Sequence, residues 1–243
     1  MNSEIIKNNI FKYNFIKKFV NGKIFDHQQN IFTTYSSAKI LLESNVDEVY
    51  SCNNTQFFET DLRKLDNKGN IIFSTINNGN FKLDFDYILS FEILNQKNIS
   101  ENLEIYYKIL KENGTLIISV LNKQNKNLEK IQNNYKFSIK ELEEKLSPKY
   151  EVLEIYSQRF LEKSVKNEKT NVFKIIRKNI AKVLKKIDKN RQFYIKYFQK
   201  NISKLDSLNE NMKKISDEDY VPKKYDSKME PFTLILICKK QCQ

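Results

Sequence analysis

His27 is the only histidine among the 243 residues, so acid or base chemistry on an imidazole runs through that one position. The three cysteines, Cys52, Cys238 and Cys242, lack metal-ligand spacing. With a single histidine they provide neither a structural zinc set nor a disulfide framework, and the expected compartment is a reducing cytoplasm. The chain has no paired carboxylates, no nucleophile elbow and no phosphate-binding Walker loop, which leaves hydrolase and phosphotransfer readings without support. No residue is assigned as catalytic on type and spacing alone. Ser90, Glu92 and Asn95 close the apolar run FDYILSF. Ligands of open α/β sheets bind at such carboxyl ends of strands, so these three are the candidates for substrate contact.

A second chemistry lies further along the chain. Lys174, Arg177, Lys178, Lys182, Lys185, Lys186, Lys189 and Arg191 alternate with Phe173, Ile176, Ile180, Val183 and Ile187 at three- and four-residue steps. Basic amphipathic helices of this kind suit an anionic membrane surface, and interleaved aromatics suit nucleic acid. Arginine, the residue that reads phosphates in a bidentate way, is scarce. Residues 1–160 hold 21 Lys and Arg against 20 Asp and Glu, whereas residues 161–243 hold 21 against 10. The formal net charge of +12 therefore belongs almost wholly to the last third, and the two parts face different surroundings.

The elements that must position these groups follow from periodicity. Helical spacing over 5–20 ends at Gly22, and GKIFD begins a buried strand. A helix is predicted over 36–43, with Ser36 as its cap, and a strand over 47–52. A helix over 55–65 and strands over 70–75 and 85–91 follow. The helix predicted over 99–111 stops at Asn113-Gly114, and TLIISVL is the next strand. Ser138 and Glu141 form a capping-box pattern that opens a helix over 138–146. Strands over 150–156 and 231–240 complete the set, with 209–228 read as loop. Strands alternating with helices predict a mostly parallel sheet covered on both faces. The expected organisation is an α/β domain of 1–160 and 229–243, interrupted by a basic helical insertion and loop of 161–228. With 40% hydrophobic residues the chain can build a sizeable core, and no apolar run approaches the roughly 20 residues that a membrane-spanning helix needs.

In order and spacing, KYNFIKKFVNGKIFD, DEVYSCN, FDYILSFEIL, YYKILKENGTLIISVLNK and EPFTLILICKK resemble the class I S-adenosylmethionine-dependent methyltransferases. The resemblance spans residues 10 to 160 and the last dozen or so. It implies a seven-stranded, Rossmann-like, mostly parallel sheet whose last strand is antiparallel. It implies S-adenosylmethionine as cofactor if the protein is active, with Asp26, Asn30, Asn53 and Asn77 at the positions that would contact it. It also implies a small-molecule or glycan acceptor.

The departures sit at those same positions. The family's first motif is Asp-x-Gly-x-Gly-x-Gly, and here Gln28, Asn30 and Phe32 replace the three glycines. A glycine lets the backbone approach a ligand, whereas Gln and Phe bring side chains to the same place. Asn53 stands where the family has an acidic residue for the ribose, and the third-strand region lacks the family's aspartate near the adenine, with Asn77 the nearest polar candidate. Asn95-Gln96 replaces Glu-His. Positions held by packing survive while positions held by cofactor chemistry do not. The expectation is a methyltransferase-like protein with impaired or lost cofactor binding and a binding or regulatory role. The alternatives are an active methyltransferase on a small molecule or glycan, and a binder of anionic surfaces, membrane or RNA, through the basic helices.

Overall fold

The computed structural model describes residues 3–28, 31–52, 71–74, 84–125, 136–158, 218, 220–228 and 230–242. The predicted helix over 55–65, Asn30, Asn53, Asn77 and the whole basic stretch 174–191 lie outside the described residues.

Helix α1 (Ser3–Ile16) leads into β1 (Gly22–His27), α2 (Ile31–Leu42), β2 (Val46–Cys52), β3 (Ile71–Ser74) and β4 (Phe85–Phe91). Helix α3 (Ile99–Ile109), β5 (Leu110–Asn122), the two-residue β6 (Lys136–Phe137), α4 (Ile139–Leu146) and β7 (Tyr150–Gln158) follow. The two-residue β8 (Lys223–Lys224) and β9 (Thr233–Lys240) end the chain. The strands form one sheet in the order β3-β2-β1-β4-β5-β9-β7-β8, with β6 beside β5. Neighbours from β3 through β5 pair in parallel, and β9 enters antiparallel between β5 and β7. The predicted mostly parallel sheet with an antiparallel last strand is thus present, with two short strands added.

Strand alternation divides the core into two layers. Ile24, Val49, Leu89, Ile117, Ile235 and Ile237 pack with α1 and α2. Phe25, Tyr50, Ile88, Leu116, Ile118, Leu234 and Leu236 pack with α3 and α4. Both faces are covered, which is why the central strands read as continuous apolar runs.

Several boundaries differ from the periodicity reading. Helix α2 begins at Ile31, so Ser36 lies inside it, buried and not at its cap. Helix α3 ends at Ile109 because Leu110 already pairs with Phe85 of β4. The turn after it takes its left-handed residue from Asn113 (φ 60°), and a side chain on Gly114 would collide with Leu110 and the Lys111 carbonyl. Residues 223–224, expected in a loop, pair with Ser157 and Tyr156 of β7. The capping box at Ser138 forms as the sequence predicts: its side chain accepts from the Glu141 amide at 3.2 Å, and Glu141 accepts from the Ser138 amide at 2.8 Å.

Gly22 shows what the scaffold demands at the opposite end of β1. It adopts φ 64°, and a side chain there would strike the Asp86 carboxylate. That carboxylate is held by the Lys23 amide at 2.9 Å and by Lys111 at 2.7 Å. Among the described residues no helix is long and apolar enough to cross a membrane.

Candidate functional site

The carboxyl ends of β1, β4 and β5 lie side by side, with α1 across one face of the sheet. Asp26 and His27 are consecutive on β1 and so point to opposite faces.

Asp26 points toward α1 and α2 and is fully buried. Its Oδ1 accepts from the Tyr13 hydroxyl of α1 at 2.7 Å, and its Oδ2 accepts from Gln28 Nε2 at 2.5 Å. Gln28 Nε2 also lies 2.8 Å from the Tyr13 hydroxyl and bonds the Ser37 hydroxyl of α2. Two amide hydrogens are shared among three acceptors, so the Gln28 head is locked. Burial drives the Asp26 carboxyl up to about 7, against the opposing pull of the Tyr13 and Gln28 hydrogen bonds. The same burial, reinforced by the neighbouring carboxylate, raises Tyr13 above the ordinary phenol range.

His27 points the other way, toward α3, and is also buried. Its Nδ1 is 2.5 Å from the Tyr106 hydroxyl, which in turn is 2.9 Å from Ser90 Oγ. Ser90 pairs with His27 across β1 and β4, so one tyrosine of α3 closes a three-member chain under the sheet. Burial raises the Tyr106 phenol far above its ordinary range, which keeps it a neutral hydrogen-bond group.

Glu92 follows β4 in a left-handed conformation (φ 59°). A non-glycine residue there is uncommon and is sustained by its surroundings. The surroundings are Lys12 of α1, fully buried, whose ammonium donates to Glu92 Oε1 at 2.7 Å and to Ser119 Oγ of β5 at 3.0 Å. Asn8, one turn earlier on α1, donates to the same Glu92 oxygen at 3.3 Å. The Glu92 side chain remains 31% exposed, so one end of this pair faces solvent. Asn95 serves its own loop: its Oδ1 accepts from the amides of Lys97 and Asn98 at 2.9 and 3.2 Å.

The three substrate candidates therefore go to three places. Ser90 joins His27 below the sheet, Glu92 joins Lys12 above it, and Asn95 caps a turn. Of the cofactor candidates, Asp26 is described and Asn30, Asn53 and Asn77 are not. Phe32 lies in α2, with its side chain outside the described part. Sequence reasoning missed Asn8, Lys12, Tyr13 and Tyr106. A signal existed for the first two, since Asn8 and Lys12 are polar residues at four-residue spacing beside the apolar stripe of Ile10, Tyr13 and Ile16.

No protein-family model matches this chain, and no curated protein matches it in sequence. Solved structures match it throughout. A chain of the Haloferax volcanii complex between the Trm112 methyltransferase activator and a methyltransferase superposes with a TM-score of 0.59 at 14% identity, covering 99% of this chain and 92% of that one. An Archaeoglobus fulgidus SAM-dependent methyltransferase gives 0.50 at 16%, covering 98% and 95%.

This is the fold of the class I S-adenosylmethionine-dependent methyltransferases.

Magnesium protoporphyrin IX methyltransferase from Synechocystis, solved with bound S-adenosylhomocysteine, matches at 0.51 and 9% identity, covering 98% and 84%. Identities this low establish the methyltransferase fold and leave function to the residues of the site. On that fold the carboxyl ends of β1 and β4 are where Asp26, Gln28 and Glu92 lie.

Proposed function

We propose that this chain is a methyltransferase-fold protein with impaired or lost S-adenosylmethionine binding, acting as a binding or regulatory partner in a reducing cytoplasm. The observation that carries this reading is the closed circuit at Asp26. Both oxygens of its carboxylate accept from the protein's own Tyr13 and Gln28, and no part of it reaches solvent. Gln28 occupies the position of the motif's first glycine, and its amide is committed to Asp26, Tyr13 and Ser37. In this part of the site the residues do not fit the cofactor in the way the resemblance implies. A cradle of open backbone is replaced by a packed side chain, and the acidic anchor is turned into a core hydrogen-bond acceptor.

Two partner surfaces go with this reading. The insertion 161–228, with Lys174 through Arg191, is proposed to meet an anionic membrane surface or nucleic acid. A protein partner is the other: the Haloferax volcanii structure that matches best among those above is of a complex with the Trm112 activator.

Titration calorimetry with S-adenosylmethionine and S-adenosylhomocysteine tests the reading directly. The expected result is no heat from folded protein at millimolar ligand. Micromolar binding would overturn it.

One observation favours a second reading, an active S-adenosylmethionine-dependent methyltransferase with a small-molecule or glycan acceptor. Glu92 is held in a left-handed conformation at the carboxyl end of β4, by a buried lysine, with one third of its side chain exposed. Backbone strain of this kind concentrates at functional sites. In that reading Asp26, Asn30, Asn53 and Asn77 would hold the cofactor, which supplies the methyl group, and Glu92 would orient the acceptor. Its test is transfer of a labelled methyl group to any acceptor, lost in Glu92→Gln.

A further inference from the structure

The two halves of α1 meet the sheet with different chemistry. The second half is anchored. Tyr13 and Ile16 are buried in the core, and the Phe15 ring stands edge-on to Tyr156 of β7 with centroids 4.8 Å apart. Tyr13 is fixed twice more, by its hydroxyl on Asp26 at 2.7 Å and by its ring against Phe91 at 5.1 Å. The first half instead turns polar groups inward. Asn8 and Lys12, one turn apart, are both buried, beside the buried Ile10 and the half-buried Phe11.

Those inward groups make a costly closed state. Lys12 is fully desolvated to reach Glu92 at 2.7 Å and Ser119 at 3.0 Å. A buried ion pair contributes little net stability, because its ions give up water to form it. Under the same half of the helix, Asn8 Oδ1, Gln158 Oε1 and Thr233 Oγ1 are buried with no hydrogen-bond partner. Gln158 and Thr233 are a register pair at the end of β7 and the start of β9, and the Gln158 amide donates to the Asn8 carbonyl at 3.0 Å. Exchanging amide oxygen and nitrogen does not relieve Asn8 or Gln158, since each nitrogen already donates to an acceptor. Buried polar atoms almost always have partners, and leaving one without costs stability. Lifting this half of α1 would give all three oxygens and the ammonium to water. What it gives up is the contact of Ile10 and Phe11 and the bonds to Glu92. The polar face that the helix turns inward is one that water can receive.

We propose that the first half of α1, from Ser3 through Lys12, is a strap that lifts from the sheet while the rest of the fold stays closed. Tyr13, tied to Asp26 and Phe91, is its pivot. Closed, the strap caps Glu92 Oε1 with Lys12 and Asn8. Lifted, it opens the carboxyl ends of β4 and β5 and delivers Glu92 and Ser119 to solvent. The strap controls access to that end of the sheet under either reading of function given above.

Amide hydrogen exchange on the full chain, at one pH and without S-adenosylmethionine, tests it. The strap amides of residues 7–12 are expected to exchange at least about a hundredfold faster than those of β4, the mark of an opening smaller than global unfolding. Two substitutions should move the strap rate in opposite directions. Thr233→Val keeps the shape, removes one unpaired oxygen and leaves no new one, so it is expected to fold. It takes away part of what opening relieves, and should slow strap exchange about tenfold. Glu92→Gln leaves the ammonium buried and uncompensated in the closed state, and should speed strap exchange about a hundredfold. Simple fraying of the helix end uncovers neither Thr233 nor Lys12, so a strap rate unchanged in either variant overturns the proposal. Equal protection of the strap and β4 in the wild type also overturns it. The readout involves no cofactor, so its failure is distinguishable from failure of the function proposed above.

Discussion

At the scale of single residues, the buried Asp26 and the buried Lys12 behave differently because their partners differ. Asp26 is buried among neutral donors, and burial outweighs the hydrogen bonds, so its folded value of about 7 lies above the ordinary carboxylate value of 3.8. A carboxyl raised on folding binds its proton more tightly in the native state. Its stabilising effect is complete below pH 4 and is lost as pH rises toward 7. Urea unfolding between those limits should show a loss of about 4 kcal/mol from this group. Asp26→Asn should flatten that slope; an unchanged slope would show that Asp26 is not its source. Lys12, by contrast, is buried beside a charged partner. Glu92→Gln leaves the ammonium buried and uncompensated, at a cost of about 3 kcal/mol. Lys12→Met removes the buried charge and leaves Glu92 one-third solvated, so its cost should be about 1 kcal/mol. Equal losses in chemical denaturation would refute this asymmetry.

At the scale of elements, the strand ends carry the site because the strand beginnings are pinned. Gly22 takes a positive φ to turn α1 into β1, and Asp86 fills the space beside it. Gly22→Ala adds left-handed strain and a collision with a tethered carboxylate. It should lower stability by about 2 kcal/mol, read as a shift in the urea midpoint without a change in slope. The element reading also explains where periodicity succeeded. Continuous apolar runs located β1, β4, β5 and β9 because both faces of these strands are covered. It misplaced the start of α2 because Ser36 reads locally as a cap. Packing decided otherwise: Ser36, Ser37 and Ala38 are buried against the sheet, and the helix extends back to Ile31. The end of α3 was likewise moved by pairing of Leu110 with Phe85, a contact that helical periodicity does not contain.

At the scale of the whole molecule, Gln158 ties distant parts together. It holds the carbonyls of Asn8 and Tyr220, 150 and 62 residues away in sequence. Gln158→Leu leaves both carbonyls without that donor and should destabilise the chain by about 2 kcal/mol in a single cooperative transition. A separate early transition would show that the sheet edge unfolds on its own. The sequence by itself determined the α/β class, the position of most strands, the capping box at Ser138 and the loss of the glycine pattern around Gln28, since these depend on local spacing and residue type. It also placed Asp26 and Glu92 at strand ends. Only the tertiary structure decided what those residues do. Whether Gln28 faces a ligand or the core depends on Tyr13 and Ser37, which reach it from two different helices. Whether His27 shares a site with Asp26 depends on which face of the sheet each takes. The partners of Glu92 come from α1, and Gln158 of β7 holds the carbonyls of Asn8 and Tyr220, at separations along the chain that no local pattern spans. Composition and periodicity record the burial that each segment requires, whereas a site is made of contacts between segments, and those exist only once the sheet has closed.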